Sequence, residues 1–387
     1  MYKDLSHLNE EELDILIEKY YSGYNVKKIL EEYNLDIKSS KLYTYFPAKV
    51  VPEYKCRHCN SNMIYNRKSK MYGDNYNIQD LFCQNCGHKY EDKYCQCYYC
   101  QQEKIKILNY KREIIKKTYS TENIDSINFN NLNFFNKVYL GSIVRELISE
   151  DLSYIKDLNS SNIKLSPYDK LTFRMYRELI KIQALVVSPF SDVSSFKDCE
   201  EFPSIYYIDQ VMYILNINDD LNLDNLIKKI INPDYYNLEN INDAYNLWKD
   251  IAINECIEYL IYQIKQINFE FNPADKTYNI IELMLENFSV SQIYNIIDKS
   301  VKNASKFYLE KKVSKQHAAN SIIGGCERYA NRAIVEKWDL TRYRRNYDLP
   351  QSEISEFFFN KVIKIGNLGF DISPNTELLK TKFHNND

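Results

Sequence analysis

The chain has 387 residues and a mass of 46.2 kDa, with 50 basic and 53 acidic residues that leave a net charge of −3. This length is long for one compact core and favours two or three domains. Only 8 Gly and 9 Pro are present, which excludes a collagen-like or linker-dominated chain and argues against a glycine-rich nucleotide-binding fold.

Neither the start of the chain nor its apolar runs predict export or a membrane anchor. The first five residues lack the apolar core of a signal peptide. The most apolar stretch, residues 251–264, is interrupted by Asn254, Glu255 and Glu258, so no membrane span is predicted. We therefore expect a cytoplasmic protein, in which 10 Cys indicate metal ligands or buried thiols rather than disulfides.

Charge is distributed along the chain in blocks. Residues 1–117 carry a net charge of +4, residues 118–297 carry −12, and residues 298–345 carry +7. Two basic blocks therefore flank an acidic middle. The blocks either mark surfaces for anionic partners or are the solvated charge of long helices, and both interpretations stay open at this point.

Residues 1–50 are predicted to form a helix-turn-helix domain. Two segments have apolar residues at helical spacing, and a turn at residues 34–37 leads from the second to a third helix, which Pro47 stops. In such a domain the second helix of the pair enters the major groove of DNA. The alternative is a helical hairpin that only packs. The residues expected to contact DNA are Lys38, Ser39, Lys41 and Tyr43.

Residues 51–102 are predicted to form a small double zinc-ribbon module built on β-hairpins. Two Cys-x2-Cys pairs, 23 residues apart, present four thiolates to one ion. Two such turns from facing hairpins complete a tetrahedral zinc site, with Zn–S bonds of about 2.3 Å. The predicted ligands of this first zinc are Cys56, Cys59, Cys83 and Cys86.

A second zinc site is predicted from the thiols that follow. Cys95, Cys97 and Cys100 supply three ligands, and the imidazole of His88 supplies the fourth. His58 competes for this place, but it lies inside the first Cys-x2-Cys turn, where we expect its side chain to point away. Closed four-ligand sites leave no position for water, so both zinc ions are expected to be structural. The alternative is a single zinc with three spare thiols.

Basic and aromatic residues alternate around the loop between the two Cys pairs. Lysine and arginine neutralise phosphates, and aromatic faces stack on unpaired bases. The alternative is a ribbon that is purely structural or that docks a protein. A basic helix over residues 103–120 is predicted to connect this module to the rest of the chain. The residues of the module predicted to contact nucleic acid are Arg57, Arg67, Lys68 and Lys70.

Residues 121–387 are predicted to form a large helical body, so the fold as a whole is expected to be mainly α. The apolar stripes at helical spacing run from Leu171 to Ile182, from Ile253 to Ile264, from Ile293 to Tyr308 and from Ile354 to Ile365. Stripes of this kind face a core rather than a cofactor. Pro350 before the last stripe and Gly366 after it are typical of helix ends.

One predicted helix, from Ser314 to Trp338, has unusual content. It holds His317, a small-residue seam of Ala318, Ser321 and Gly325, and a second glycine, Gly324, beside that seam. Glycine inside a helix costs about 1 kcal/mol relative to alanine, so close helix packing or a function is expected to require the pair. The arginines on and after this helix predict a phosphate-binding surface, with ion pairing to the acidic middle block as the alternative. They are Arg328, Arg332, Arg342, Arg344 and Arg345.

The order of these motifs resembles a group of uncharacterised bacterial proteins that combine a helix-turn-helix with zinc ribbons. The resemblance rests on residues 25–47, on the Cys motifs of residues 56–100, and on residues 317–346, which begin His-Ala-Ala-Asn. It covers less than half of the chain and implies no specific activity. Proteins of this appearance are often carried with mobile elements or phage-defence systems, which the resemblance makes an alternative for the biological role.

Together these patterns predict a zinc-stabilised protein that binds nucleic acid, above all DNA, through residues 1–117, assisted by the C-terminal arginines. The helical body would then serve oligomerisation, sensing or an effector role. One alternative is a phage-defence or mobile-element protein whose ribbons dock a protein partner. A second alternative is a metal-dependent nuclease, for which Glu178-x2-Lys181 supplies half of a nuclease motif. No catalytic residue is predicted.

Overall fold

The computed structural model describes residues 2–162 and 164–384. They form two compact units, one ending at Lys111 and the other beginning at Arg112. The predicted segments 1–50 and 51–102 therefore belong to one N-terminal unit. Helices account for 52% of the structure, which confirms the prediction of a mainly α protein. Within the described ranges, no helix is both long and apolar enough to cross a membrane.

Three short helices open the N-terminal unit: α1 over Glu10–Tyr21, α2 over Val26–Glu32 and a 3-10 helix over Ser39–Tyr45. The Asn9 side chain caps α1 by accepting from the Glu12 N–H, while the Glu12 carboxylate accepts from the Asn9 N–H. Each helix contributes one fully buried side chain to a shared core: Leu16, Ile29 and Leu42.

The third of these helices is a 3-10 helix. The sequence predicts a short helix from about residue 38 to 46, and the structure has a seven-residue 3-10 helix there. Its serine, threonine and tyrosine residues favour α-helix poorly, and Pro47 ends the segment before an α-helical ladder can lengthen. A 3-10 helix is tighter and places residues three apart on one face. The helix-turn-helix as a groove-reading unit therefore stays a prediction.

A three-stranded antiparallel sheet follows, in the order β1-β2-β3. Its strands are β1 over Lys49–Lys55, β2 over Asn62–Tyr65 and β3 over Phe82–Cys83. The register between β1 and β2 shifts between Val51 and Lys55, where Pro52 has no N–H to donate. Because Cys56 follows β1 and Cys83 ends β3, the sheet brings the two Cys-x2-Cys turns together.

Helix α3 spans Tyr98–Thr118 and begins five residues before the predicted basic helix of residues 103–120. The prediction of a helix here is confirmed, although its start is earlier. It begins directly after Cys97 and holds Cys100 in its first turn. The boundary between the two units lies within this helix.

The C-terminal unit is a helical body around one hydrophobic core, with two small strand pairs. Its longer helices are α4 (Phe134–Leu147), α5 (Asp169–Lys181), α6 (Leu223–Ile231), α7 (Ile241–Gln266), α8 (Asp275–Leu285), α9 (Val290–Lys311) and α10 (Lys315–Val335). A parallel pair joins β4 (Ile127–Asn128) to β7 (Ile217–Asn218), and an antiparallel pair joins β5 (Leu185–Val187) to β6 (Tyr213–Leu215). Three of the four predicted apolar stripes coincide with α5, α7 and α9.

The last predicted stripe takes a different form. Helix α11 is only Glu353–Glu356, and the chain continues as a π-helical segment, Phe357–Val362. Glycines make room for its buried rings, since an added Cβ at Gly141 would lie 2.4 Å from the Phe357 ring, and one at Gly369 would lie 2.4 Å from the Phe359 ring. The short helices α12 and α13 follow, over Leu368–Asp371 and Thr376–His384.

Candidate metal centres

The N-terminal unit holds two groups of Cys and His side chains close enough to share an ion. In the first group, the first centre, the sulfurs of Cys56 and Cys86 are 3.5 Å apart, those of Cys59 and Cys83 are 3.3 Å apart, and those of Cys59 and Cys86 are 4.0 Å apart. A tetrahedral ion with metal–sulfur bonds of about 2.3 Å holds its sulfurs about 3.8 Å from one another. The four predicted ligands therefore form a closed metal-binding set.

The two turns that carry the first centre repeat one backbone pattern. The Cys56 carbonyl accepts from the Asn60 N–H at 2.9 Å, and the Cys56 N–H donates at 2.8 Å to the carbonyl five residues later. Cys83 makes the same two bonds, with the Gly87 N–H at 2.9 Å and with the carbonyl five residues later at 2.8 Å. Asn60 and Gly87 both have positive φ, 59° and 69°, which asparagine and glycine tolerate best. Local backbone bonds therefore position both cysteine pairs.

The second group, the second centre, consists of His58, His88, Cys97 and Cys100. The Cys100 sulfur lies 3.4 Å from His88 Nδ1 and 3.3 Å from His58 Nε2, and the Cys97 sulfur lies 3.9 Å from His88 Nδ1. Three of the predicted ligands thus meet. The expectation that His58 points away is wrong, because its side chain is only 7% exposed and faces Cys100.

Cys95, the remaining predicted ligand, lies beside this set. Its sulfur accepts from the Lys89 N–H at 3.3 Å. Burial opposes ionisation of the Cys95 thiol, but the N–H groups of Lys89 and Cys97 and the neighbouring thiols lower its pKa overall. Five candidate donors thus surround a centre that takes four. The mutually close set contains His58 and omits Cys95, so the structure favours His58 as the fourth ligand.

Hydrogen-bond donors contact the thiols of the second centre. The Cys100 N–H, in the first turn of α3, donates to the Cys97 sulfur, which favours the thiolate there. Arg57 Nη2 donates to the Cys100 sulfur at 3.4 Å and pairs with Glu103 at 2.9 Å. Burial raises the pKa of Cys97 to about 11, so ionisation of Cys97 depends on a nearby cation. Arg57, predicted to contact nucleic acid, is therefore tied to the second centre.

The basic loop between β2 and β3 is paired internally. Arg67 forms an ion pair with Asp74 at 2.6 Å, and its side chain is 14% exposed. Lys68 pairs with Asp80, and the Lys70 ammonium donates at 3.2 Å to a carbonyl in the connection between α1 and α2. These contacts occupy the cations that were predicted to contact nucleic acid.

The residues predicted on the third helix divide into two pairs. Lys38 and Lys41 are exposed, whereas Ser39 and Tyr43 are half-buried. Tyr43 packs against the core of the N-terminal helices. In the part of the chain that the structure describes, the two lysines form no ion pair, so they stay available for a phosphate.

The predicted C-terminal arginines all lie in the C-terminal unit. Arg328 and Arg332 lie on α10 and line a cleft against α9. A cavity of about 680 Å³ after α10 is lined by Arg342, Arg344 and Arg345. Arg345 pairs at 2.9 Å with Glu255, whose side chain is 1% exposed. Arg345 therefore serves the core, and its prediction as a nucleic-acid contact is not supported.

Exposed side chains near the second centre in the sequence include residues that are not among the predicted contacts. Tyr94 is 81% exposed and Tyr98 is 68% exposed. Lys89 and Lys93 are also exposed, and their ammonium groups form no ion pair among the described residues. The available signal was the composition of residues 89–99, where two lysines and four tyrosines accompany two cysteines, with Glu91 and Asp92 between the lysines.

Comparison of the chain with protein-family models, with curated proteins and with solved structures finds no match. The two centres and their surroundings are therefore interpreted from their own geometry.

Replacement of His58 by Ala is expected to remove one of the two bound ions, because the second centre then lacks its fourth close donor. Replacement of Cys95 by Ala is expected to leave both ions bound. The metal affinity of the second centre should fall by about 10- to 100-fold, as is typical when a residue that contacts metal ligands without binding the metal is replaced. Elemental analysis of metal per chain after dialysis distinguishes the variants. The reverse pattern would make Cys95 the ligand.

Proposed function

We propose that this protein is a zinc-stabilised nucleic-acid-binding protein whose N-terminal unit makes the contact. Zinc fits both centres, since thiolate and imidazole ligands in closed sets of four are its usual structural ligands. The first centre offers four thiolates, and the second offers two thiolates and two imidazoles. Bound ions would hold the turns of the sheet and the start of α3 in one arrangement.

The positive charge of the N-terminal unit lies on its metal-bearing part. Residues 49–111 hold 11 basic and 6 acidic residues, whereas residues 1–48 hold 6 basic and 9 acidic residues. A phosphate backbone is attracted to the first segment and repelled by the second. The proposal therefore moves the main contact from the predicted helix-turn-helix to the metal-bearing segment.

The observation that carries the proposal is that four side chains of the segment leading into the second centre are exposed. They are Lys89, Lys93, Tyr94 and Tyr98, and together they are called the lysine–tyrosine surface. Unpaired lysines neutralise phosphates, and exposed phenol rings stack on bases that are not paired in a duplex. Tyr98 directly follows the ligand Cys97, and Tyr94 directly precedes Cys95, which lies beside the ligand set, so a bound ion holds the backbone next to Tyr98. This chemistry favours a single-stranded ligand.

Charge reversal on the lysine–tyrosine surface tests the proposal. The double variant Lys89→Glu, Lys93→Glu is expected to weaken binding of the full chain to a single-stranded oligonucleotide by about 10-fold or more in 0.1 M salt. The slope of log affinity against log salt should fall by about 1.4, because each phosphate contact contributes about 0.7. Tyr94→Ala is expected to cost about 1–3 kcal/mol of stacking free energy. Fluorescence anisotropy across a salt series measures all three effects.

The matched control is Lys27→Glu, Lys28→Glu on α2, which makes the same change of charge at exposed lysines of another element. Equal losses of affinity in the two double variants would show that the net charge of the chain explains the effect, which would contradict the proposed surface. Unchanged binding by the Lys89→Glu, Lys93→Glu variant would contradict it as well. Metal content should stay the same in all of these variants, because none of the substituted side chains is a ligand.

A second candidate ligand is duplex DNA, held by Lys41 on the 3-10 helix and by Lys38 directly before that helix. Both side chains are exposed and without an ion pair within the described ranges. In that case Lys38→Glu, Lys41→Glu would weaken duplex binding, and Lys89→Glu, Lys93→Glu would leave it unchanged. Titrating both variants with single- and double-stranded oligonucleotides of one sequence separates the two candidates.

A further inference from the structure

The second centre has one thiol more than a four-coordinate ion uses. His58, His88, Cys97 and Cys100 form the mutually close set, which omits Cys95. Cys95 is nevertheless only 2% exposed, and its thiol lies beside those of Cys97 and Cys100 in one buried cluster. Among the described residues, the cluster around the first centre contains no fifth cysteine. A thiol that is close to the ligands without being one therefore distinguishes the second centre.

A cavity beside the second centre brings small solutes to one of its ligands. The cavity has a volume of about 530 Å³, and its lining includes Cys100, His88 and Arg57. Arg57 Nη2 lies 3.4 Å from the Cys100 sulfur, and 61% of the Arg57 side chain is exposed. The Cys100 sulfur is therefore in contact with a solvent-exposed side chain of the cavity wall. None of the four cysteines of the first centre lines this cavity.

Cys100 and Cys95 together supply the two groups that reversible thiol oxidation requires. A metal-bound cysteine sulfur is a thiolate, and the thiolate is the form that reacts with a peroxide. The product is a sulfenic acid, which condenses with a neighbouring thiol to form a disulfide. Cys95 is suited to this second step because its sulfur is not held by the ion, whereas the sulfur of Cys97 is. The accessible ligand and the thiol outside the ligand set thus have different roles.

We propose that the second centre is a site of reversible oxidation by hydrogen peroxide, in which Cys100 reacts first and Cys95 closes a disulfide with it. The Cys100 thiolate attacks one peroxide oxygen and the O–O bond breaks, which gives a sulfenic acid and hydroxide. The Cys95 thiol then attacks the Cys100 sulfur, the S–O bond breaks, and the hydroxyl leaves with the thiol proton as water. A proton from solvent converts the hydroxide to a second water. Two electrons have passed from the two sulfurs to the peroxide.

Oxidation of this pair lowers the metal affinity of the second centre, because a disulfide sulfur is no longer a thiolate ligand. Three donors of the set remain, His58, His88 and Cys97, whereas a closed structural site needs four. The first centre keeps its four thiolates. The inference goes beyond nucleic-acid binding and does not depend on it, since it concerns the thiols and the metal content of the chain.

Treatment of the zinc-loaded full chain with dilute hydrogen peroxide tests the inference. A chromophoric chelator should detect the release of one of the two ions, together with the loss of two free thiols per chain. Chymotrypsin cleaves after Tyr98 and Tyr99, which separates Cys100 from the peptide that holds Cys95. Mass spectrometry should therefore find these two peptides joined by a disulfide. Dithiothreitol followed by zinc should separate the peptides and restore the second ion.

Cys95→Ser tests the role of the thiol outside the ligand set. This variant is expected to hold two ions before oxidation. After peroxide it should show no joined peptides and no recovery with dithiothreitol, because the Cys100 sulfenic acid is then oxidised further to sulfinic acid. Cys199→Ser is the matched control, since it removes a thiol outside both centres and should behave as the unchanged protein does.

Four results would each overturn the inference. They are retention of both ions under peroxide, release of both ions at the same rate, joined peptides in Cys95→Ser, and a Cys95→Ser variant that holds only one ion before oxidation. The third would assign the disulfide to Cys97, and the fourth would make Cys95 a ligand. None of these measurements involves nucleic acid, so a failure here and a failure of the lysine–tyrosine surface are separate results.

Discussion

Removal of both metal ions is expected to unfold the metal-bearing part of the N-terminal unit and to leave the C-terminal unit folded. The buried apolar residues at the first centre are few, and they surround the cysteines themselves: Val51, Met63, Tyr65 and Leu81. At the second centre the buried cluster consists of cysteines alone. Structural zinc contributes about 10–16 kcal/mol to the folding of such small domains. The C-terminal unit has an extensive hydrophobic core of its own.

Limited proteolysis before and after chelation measures this effect. Cleavage after chelation should concentrate between residues 49 and 100, while fragments that contain α4 to α10 stay protected. Cys83→Ser should reproduce the loss of protection, whereas Cys199→Ser, at a half-buried thiol outside both centres, should change neither metal content nor protection. Full protection in a sample that elemental analysis shows to be free of metal would contradict the structural role of the ions.

The first centre could be predicted because its information is local. A Cys-x2-Cys spacing places two thiols on one turn, and two such turns specify four ligands. The second centre depends on contacts between distant parts of the chain. His58 stacks on Tyr99 at a ring distance of 5.3 Å and lies close to Cys100, 42 positions later. Spacing within one turn gives no information about these contacts, so the direction of the His58 side chain was predicted wrongly.

The prediction of free cations met the same difficulty. Arg67 and Lys68 are basic residues beside tyrosines, which suits a phosphate contact, but Asp74 and Asp80 of the same loop pair with them. A sequence shows that both signs of charge are present and does not show which pairs form. Which ion pairs form within this loop depends on the turn that brings the opposite charges together. Tertiary contacts determine that turn.

The helical body shows where periodicity is sufficient. Helices α5, α7 and α9 follow from their apolar stripes, because burial of one face decides whether such a segment is a helix. The conformation of the π-helical segment after α11 is determined instead by tertiary packing. Its phenylalanine rings pack against glycines of two other helices, at Gly141 and Gly369. The sequence of the segment itself does not predict these contacts.

Replacement of Arg345 by Ala is expected to destabilise the C-terminal unit by about 3–5 kcal/mol. Arg345 Nη1 lies 2.9 Å from Glu255 Oε1, and the Glu255 side chain is 1% exposed. Ser355 donates to the same oxygen at 2.8 Å, and the other oxygen, Oε2, has no partner among the described residues. Without the guanidinium, a buried carboxylate would be held by one hydroxyl. Urea unfolding followed by circular dichroism measures the change in unfolding free energy.

Arg344→Ala is the matched control for Arg345→Ala, because Arg344 is exposed and has no ion pair within the described ranges. Its replacement should change the unfolding free energy by less than about 0.5 kcal/mol. The double variant Glu255→Gln, Arg345→Met removes both charges and should recover most of the lost stability, since uncharged groups of similar volume often replace a buried ion pair without cost. If Arg345 served a ligand instead, the single variant would keep the stability of the unchanged protein and lose affinity for anions.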